Sequence, residues 1–222
     1  MGTLYLVRHG QASFGADDYD VLSDLGWAQA VRLGEYFKTK GIVFDAAFTG
    51  TLRRQIKTFE GICEGAGISL AATAWPGLNE YDSHAVIAAV HPQKLEKPTS
   101  PEMYRSHFRL LKDGLTQWMA GVVTPQGMSS YNEFAAGVTS ALDHIRKNCD
   151  GNVLLVSSGG PIATAVGHVL GTSPETTIEL NLRIRNASVT EFAFTPKRHM
   201  LVTYNTLPHL DAPEHADWVT YA

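Results

Sequence analysis

The chain has 222 residues, 44% of them hydrophobic and 18% charged, which is the composition of a globular enzyme with enough length to bury a substantial core. Its net charge of −4 gives no reason to expect nucleic acid as a partner. No apolar stretch approaches the ~20 residues of a membrane span, so no membrane partner is expected either. The first element in chain order is Leu4-Tyr5-Leu6-Val7, a short apolar run that suits a buried strand and passes straight into Arg8-His9-Gly10. Glycine lets the backbone turn there, presenting an arginine and an imidazole at the carboxyl end of a strand, where open α/β sheets place their ligands.

Ser23 can cap a helix over residues 24–39, in which Ala30, Leu33 and Phe37 keep helical spacing before Gly41 stops it. Phe44–Phe48 reads as a second strand. A helix opened by Thr51 carries Leu52, Ile56, Phe59 and Cys63 on one stripe, and residues 66–80 read as strand and loop. After the proline-bearing stretch from His91 to Pro101 come two amphipathic helices. The first aligns Tyr104, Phe108, Leu111, Leu115 and Trp118; the second opens with a capping box, Ser130 with Glu133, and buries Phe134, Val138, Ala141 and Ile145. Val153-Leu154-Leu155-Val156 is another continuous apolar strand, followed by Ser157-Ser158-Gly159-Gly160 and a helix from Pro161 to about Leu170. Two strands near 187–194 and 199–205 precede an irregular tail.

Strands alternating with helices predict a three-layer α/β/α domain with a mostly parallel central sheet and helices on both faces. The helical pair at 102–148 interrupts that alternation and is expected over the sheet edge. Residues 1–222 then form one domain, with 81–150 as a cap insertion that contributes selectivity. The cysteines, Cys63 and Cys149, lack metal-ligand spacing and are too few for a disulfide framework. No His, Cys and carboxylate set calls for a metal, and no organic cofactor is expected. The N-terminal apolar run stops at four residues, too short for a signal peptide, so the expected location is cytoplasmic.

Four places bear chemistry, each at the end of a different strand. Arg8 and His9 end the first; Arg53 and Arg54 open the helix after the second; Glu80 follows Leu78-Asn79; and Gly159-Gly160-Pro161 begins a helix whose N–H groups and dipole favour an anion. Together they resemble the histidine phosphatase superfamily, the phosphoglycerate mutase-like enzymes. Leu6-Val7-Arg8-His9-Gly10-Gln11 is similar to the nucleophile motif, and Leu22-Ser23, Leu25-Gly26 and Gln29-Ala30 to the helix start after it. Leu52-Arg53-Arg54-Gln55-Ile56-Lys57-Thr58 is similar to the second arginine motif, Leu78-Asn79-Glu80 to the acid segment, and Val156 to Ile162 to the last motif. The resemblance implies that His9 attacks phosphorus and becomes a phosphohistidine. Arg8 and Arg54 then hold the phosphoryl oxygens, and Glu80 is the general acid and base. The electrostatics agree, since two guanidinium forks offset the phosphate charge that repels a nucleophile. Glu80 needs a raised pKa for this, so burial must outweigh the neighbouring arginines.

One departure stands out. The family usually places a second histidine at position 158, and this chain has Ser158. Losing one well-placed donor typically costs about 2.7–4 kcal/mol in the transition state. Three readings are open: Ser158 suffices together with the Gly159 and Gly160 N–H groups; another histidine, His84 or His107, fills the gap; or the protein binds phospho-ligands, including phosphoproteins, with weakened catalysis. Ala12 and Gly15 stand where many relatives carry polar pocket side chains, and Gln11 and Ser13 are the candidates to replace those contacts. Arg53 reads as a solvated helix charge, and Arg183 and Arg185 as an exposed strand face. His168 reads as structural, and His209 as docking the tail. Cofactor-dependent mutases carry an arginine- and tyrosine-containing stretch after the acid that Tyr81-Asp82-Ser83-His84 does not reproduce. The expectation is therefore a phosphoric monoester hydrolase whose ligand is a small phosphomonoester or inorganic phosphate. Its oligomeric state is unreadable from one sequence.

Overall fold

A computed structural model describes residues 1–13, 20–93, 95–96 and 99–221. Six strands form one sheet among these residues: β1 (Gly2–Arg8), β2 (Ala46–Thr49), β3 (Ala72–Ala74), β4 (Gly151–Ser157), β5 (Val189–Thr195) and β6 (Arg198–Thr206), in the order β3-β2-β4-β1-β5-β6. The ladders β3-β2, β2-β4 and β4-β1 are parallel, and β5 runs antiparallel to both of its neighbours. The sheet is mixed and mostly parallel, as expected. The parallel part puts the carboxyl ends of β1 to β4 on one rim, with Arg8 beside Ser157 and Thr49 beside Val156.

The alternation along β1 explains the layers. Leu4 and Leu6 face one side of the sheet and Tyr5 and Val7 the other, because successive side chains of a strand point to opposite faces. On the Tyr5 face lie α1 (Asp24–Thr39) and α2 (Arg53–Ala66), whose Leu33, Phe37, Phe59 and Ile62 close over Leu154 and Val156. On the Leu4 face lie α5 (Tyr131–Asn148) and α6 (Gly159–Leu170), with Ala141, Ile145, Ile162 and Val166 packed against Leu155 and Phe192.

The Ser23 cap on α1 and the Ser130–Glu133 capping box on α5 form as the sequence indicates. Four local readings change. The α2 stripe is rotated: Ile56 is exposed, and the buried face instead carries Arg54, Gln55 and Thr58, because the first turns of this helix face the polar rim. On α4 (Pro101–Met119), Leu115 and Trp118 are buried, whereas Tyr104 and Phe108 face outward, Phe108 being 51% exposed. The α4–α5 pair also divides its work, since α5 is part of the layer covering the sheet and α4 packs on α3 (Ser83–Val90) and α7 (Pro174–Leu182). Finally, α3 and α7 carry no helical period that the sequence could reveal. Arg183 and Arg185 sit at the end of α7 and in the following loop, not on a strand.

The tail folds into two short 3-10 turns, Pro208–Leu210 and Pro213–Trp218. His209 is buried there with no hydrogen-bond partner on either ring nitrogen, and burial, reinforced by Arg32 and His215, pushes its pKa down to about 3. No helix among the described residues is long and apolar enough to cross a membrane.

The burial pattern predicts a contrast within the apolar set. Leu155→Ala, at the centre of the sheet, should cost about 2–5 kcal/mol of stability. Phe108→Ala should stay within roughly 0.5 kcal/mol of the parent. Urea unfolding midpoints measure both, and equal losses would contradict the packing described.

Candidate active site

The four loops that follow the parallel strands converge on one rim. His9 is buried to 2% exposure at the end of β1, and its backbone N–H donates to the Ser157 carbonyl at 2.8 Å. The turn after it is tight because Gly10 and Gly26 approach each other's segments closely: a Cβ at Gly10 would overlap the Gly26 carbonyl oxygen, and one at Gly26 would overlap that of Gln11. This lets the first turn of α1 lie directly against the loop that follows His9. The Gly10 N–H donates to Thr58 Oγ1 at 3.0 Å, tying the same turn to α2.

The ring of His9 has a defined tautomer. Nδ1 lies 2.7 Å from the Gly10 carbonyl oxygen, which can only accept, so Nδ1 carries the proton. Nε2 then presents a lone pair, and Arg54 Nε donates to it at 3.2 Å. Burial first, then the charges of Arg8 and Arg54, hold the His9 pKa well below the ordinary histidine value, against the opposing Gly10 hydrogen bond. The imidazole is therefore held neutral, with the Nε2 lone pair facing Arg54.

Both arginines are buried and anchored. Arg54 Nη1 pairs with Asp20 Oδ1 at 2.8 Å, and Asp20 also accepts from the backbone N–H groups of Arg53 and Arg54. Arg8 Nη1 donates to the carbonyl oxygens of Ile184, at 2.6 Å, and Tyr221, at 2.7 Å. Arg53 is exposed while Arg54 is buried.

Glu80 reaches the start of α6, where the Gly160 N–H lies 3.2 and 3.1 Å from its two carboxyl oxygens and the Tyr81 N–H donates at 3.2 Å. The group facing this helix start is thus the protein's own carboxyl. A Cβ at Gly160 would overlap Glu80 Oε1 and stand 2.6 Å from Tyr81 Cε1, so this glycine is what allows the approach. Burial raises the Glu80 pKa and outweighs the Gly160 N–H, Arg54, Arg8 and the Tyr81 N–H, which act in the opposite direction.

Ser158 is fully buried, and its Oγ accepts from Gln55 Nε2 at 2.9 Å. The same amide nitrogen donates to the Leu78 carbonyl at 3.0 Å, and Gln55 Oε1 accepts from Leu52 N–H at 3.3 Å. The space beside Ser158 therefore holds a glutamine side chain rather than a histidine. His84 has a side chain 91% exposed beside Asp82. The charge that lowers the pKa of His107, after burial, is His84, which sets that pair on the outer helices. Gly159 is buried against Asn181 and Ile184. Gln11 is engaged locally, its Oε1 accepting from Ser23 Oγ at 2.8 Å, while the backbone N–H of Ser13 bonds the Val21 carbonyl. Gly15 lies outside the described residues.

Several residues that bind this rim together carry no local signal. Asp20, Asn186 and Thr220 are polar loop residues without a motif of their own, and Gln29 lay in the helix-start segment with nothing to mark its reach to the tail. Gln55 and Thr58 lay within the second arginine segment, but only their burial on α2 marks them.

Residues 4–207 match the histidine phosphatase superfamily (branch 1), and the chain belongs to that family. Relatives at the sequence level include the 2,3-bisphosphoglycerate-dependent phosphoglycerate mutase of Mesorhizobium japonicum, 40% identical over 88 residues, which is 36% of this chain and 42% of the relative. The chain is thus aligned with well under half the length of this relative. Over nearly the whole chain the fold is that of Bacillus stearothermophilus YhfR, with a TM-score of 0.69, 19% identity, and coverage of 94% and 99% of the two chains. It is also that of the Entamoeba histolytica phosphoserine phosphatase in complex with 3-phosphoglyceric acid, with a TM-score of 0.66, 21% identity, and coverage of 95% and 100%.

Because the folded chain resists protonating His9 and the unfolded chain does not, this residue withdraws stability as pH falls below about 6.5. In 15N NMR, His9 should stay neutral and Nδ1-protonated well below pH 6.5. Arg54→Gln should move its titration upward, and an unmoved titration would remove Arg54 from its surroundings.

Proposed function

We propose that the protein hydrolyses phosphomonoesters through a phosphohistidine at His9. The observation that carries this reading is the neutral His9 ring whose Nε2 lone pair accepts from the anchored Arg54, with the charge of the anchored Arg8 also acting on the ring. Phosphorus is attacked by Nε2 as the ester oxygen departs on the opposite side, and Glu80 in its acid form gives that oxygen a proton. Arg54 transfers its Nε–H from His9 to a phosphoryl oxygen as the ester arrives, and Arg8 supplies the second fork. Water then attacks the phosphohistidine while the Glu80 carboxylate takes its proton, which returns His9 to its starting state. The raised pKa of Glu80 suits both halves of the cycle. The Gly159 N–H and the Ser158 hydroxyl proton complete the phosphate site in this reading, with Gln11 and Ser13 bordering it.

Selectivity belongs to the 81–150 insertion. A cleft of about 350 Å³ adjoins Glu80 and is lined by Tyr81, Asp82, Met128, Glu133 and Phe134, among others. No lysine or arginine is among the described residues lining it. That favours a leaving alcohol without a second anionic group over phosphorylated acids. An aryl phosphate such as 4-nitrophenyl phosphate should therefore be hydrolysed with a higher kcat/KM than 3-phosphoglycerate; the reverse order would move the leaving group elsewhere.

The rival reading, a phospho-ligand or phosphoprotein binder with weakened catalysis, rests on the Ser158–Gln55 contact that stands in for the usual histidine. Phosphate release from the aryl ester separates the two. His9→Ala should abolish it, whereas tight phosphate binding by the parent without turnover would establish the binder. A ring at position 158 must displace the Gln55 amide, so Ser158→His should be made together with Gln55→Ala. That pair should speed phosphoenzyme formation by up to about a hundred- to thousandfold. Unchanged or slower kinetics in the folded variant would show a pocket rebuilt around the serine.

A further inference from the structure

Among the described residues, the non-glycine residues with left-handed backbone are Ala187, at φ 53°, and Asn205, at φ 56°. Asparagine tolerates this region, and alanine adopts it at a cost that the surroundings must impose. Both belong to one bracket around Arg8 and His9. Asn205 accepts from the Arg185 N–H at 2.8 Å, donates through Nδ2 to the Arg183 carbonyl at 2.9 Å, and its own carbonyl accepts from Arg185 Nη2. Those bonds hold the intervening Ile184 carbonyl, which receives Arg8 Nη1. Ala187 turns the chain so that its N–H reaches the His9 carbonyl oxygen at 3.2 Å, and the Ser188 carbonyl accepts from the Arg8 N–H at 3.1 Å.

Asn186 stands at the centre of this bracket and is fully buried. Its Nδ2 donates to the same His9 carbonyl at 3.3 Å, so that oxygen has two donors. The Thr220 hydroxyl donates to Asn186 Oδ1 at 3.0 Å, which settles which end of the amide faces His9, and the Thr220 carbonyl accepts from the Asn186 N–H at 2.9 Å. Gln29 on α1 secures the same stretch, donating to the Trp218 carbonyl at 2.6 Å and to Thr220 Oγ1 at 3.1 Å. One residue further on, the Tyr221 carbonyl accepts from Arg8 Nη1. The segment 218–221 therefore reaches Arg8 directly and His9 through Asn186.

We propose that Asn186 and Thr220 are positioning residues for the reaction, acting through His9 and Arg8 without touching the phosphoryl group. This rests on the phosphohistidine reading. The peptide linking His9 to Gly10 is fixed by the two donors on the His9 carbonyl. The next carbonyl along, that of Gly10, receives the Nδ1 proton and so sets the tautomer that leaves Nε2 free to attack. Loosening Asn186 lets that peptide tilt, and loosening 218–221 removes the Tyr221 carbonyl as an anchor of the Arg8 fork. Small displacements of a nucleophile and an oxyanion clamp carry large rate penalties.

The test uses Thr220→Val, which removes the hydroxyl at nearly constant shape on a partly exposed segment, with Thr220→Ser as the conservative variant and Asn186→Ala as the partner. Two probes are read: turnover of 4-nitrophenyl phosphate and calorimetric binding of orthovanadate. Thr220→Val should lower kcat about tenfold or more and weaken orthovanadate binding severalfold, with little change in melting temperature. Thr220→Ser should restore both. Adding Thr220→Val to Asn186→Ala should cost little further, because both variants break one linkage. Parent-like rates and affinity in Thr220→Val, no rescue by serine, or losses that simply multiply would overturn the proposal. A parent protein that binds orthovanadate but releases no phosphate from esters would overturn the hydrolase reading alone, since the binding arm still reports on Arg8 and His9.

Discussion

Two guanidinium groups and an imidazole packed together away from water constrain everything else on this rim. Like charges in a poorly solvated space repel, and each guanidinium must replace the water it has lost. Asp20 answers for Arg54, and the carbonyls of Ile184 and Tyr221 answer for Arg8. Each anchor draws in a different part of the chain: the stretch before α1, the connection after α7, and the segment after the last 3-10 turn. The only way the imidazole can sit between them is uncharged, and the Gly10 carbonyl decides which nitrogen keeps the proton. A neutral imidazole is thus a consequence of the charges and burial around it.

The carboxyl group of Glu80 obeys the opposite logic in the same place. It stands near the same arginines, yet its pKa is raised, because loss of water outweighs the attraction of those charges. It lies at the N-terminal end of α6, where a helix favours an anion, and the absence of a side chain on Gly160 is what gives it room. The sheet makes this pairing of groups possible. Parallel register across β2, β4 and β1 delivers Arg54, Ser158 and His9 to one edge, and the turn after the short edge strand β3 brings Glu80 back over them.

Position 158 shows how a buried hydroxyl is kept satisfied. Gln55 extends from the first turn of α2 to reach it, and its polar atoms bond Ser158, Leu78 and Leu52. Both Gln55 and Ser158 are fully buried, so the glutamine joins the segments after β3 and β4 to the start of α2.

Continuous apolar strands, capped helices and the four motif segments were legible in the residues themselves, because burial on both faces of a sheet and helix capping leave local patterns. So were Arg8, His9, Arg54 and Glu80 as the groups to watch, since each sits beside a strand end in a recognisable segment. The helices α3 and α7 were not legible: α3 is apolar nearly all round, and α7 is short with its apolar residues spaced by two, so neither shows a helical period. The outward turn of Tyr104 and Phe108 and the polar inner face of α2 were hidden for a related reason, namely that apolar spacing says which residues share a face and not what that face meets. What the chain alone determined is therefore the segments that meet at this rim and the order of elements carrying them. Tertiary structure alone decided the partner of Ser158 and the bracket of Asn186 and Thr220, because hydrogen bonds between residues far apart in sequence depend on where the backbone brings them, and no local pattern encodes that.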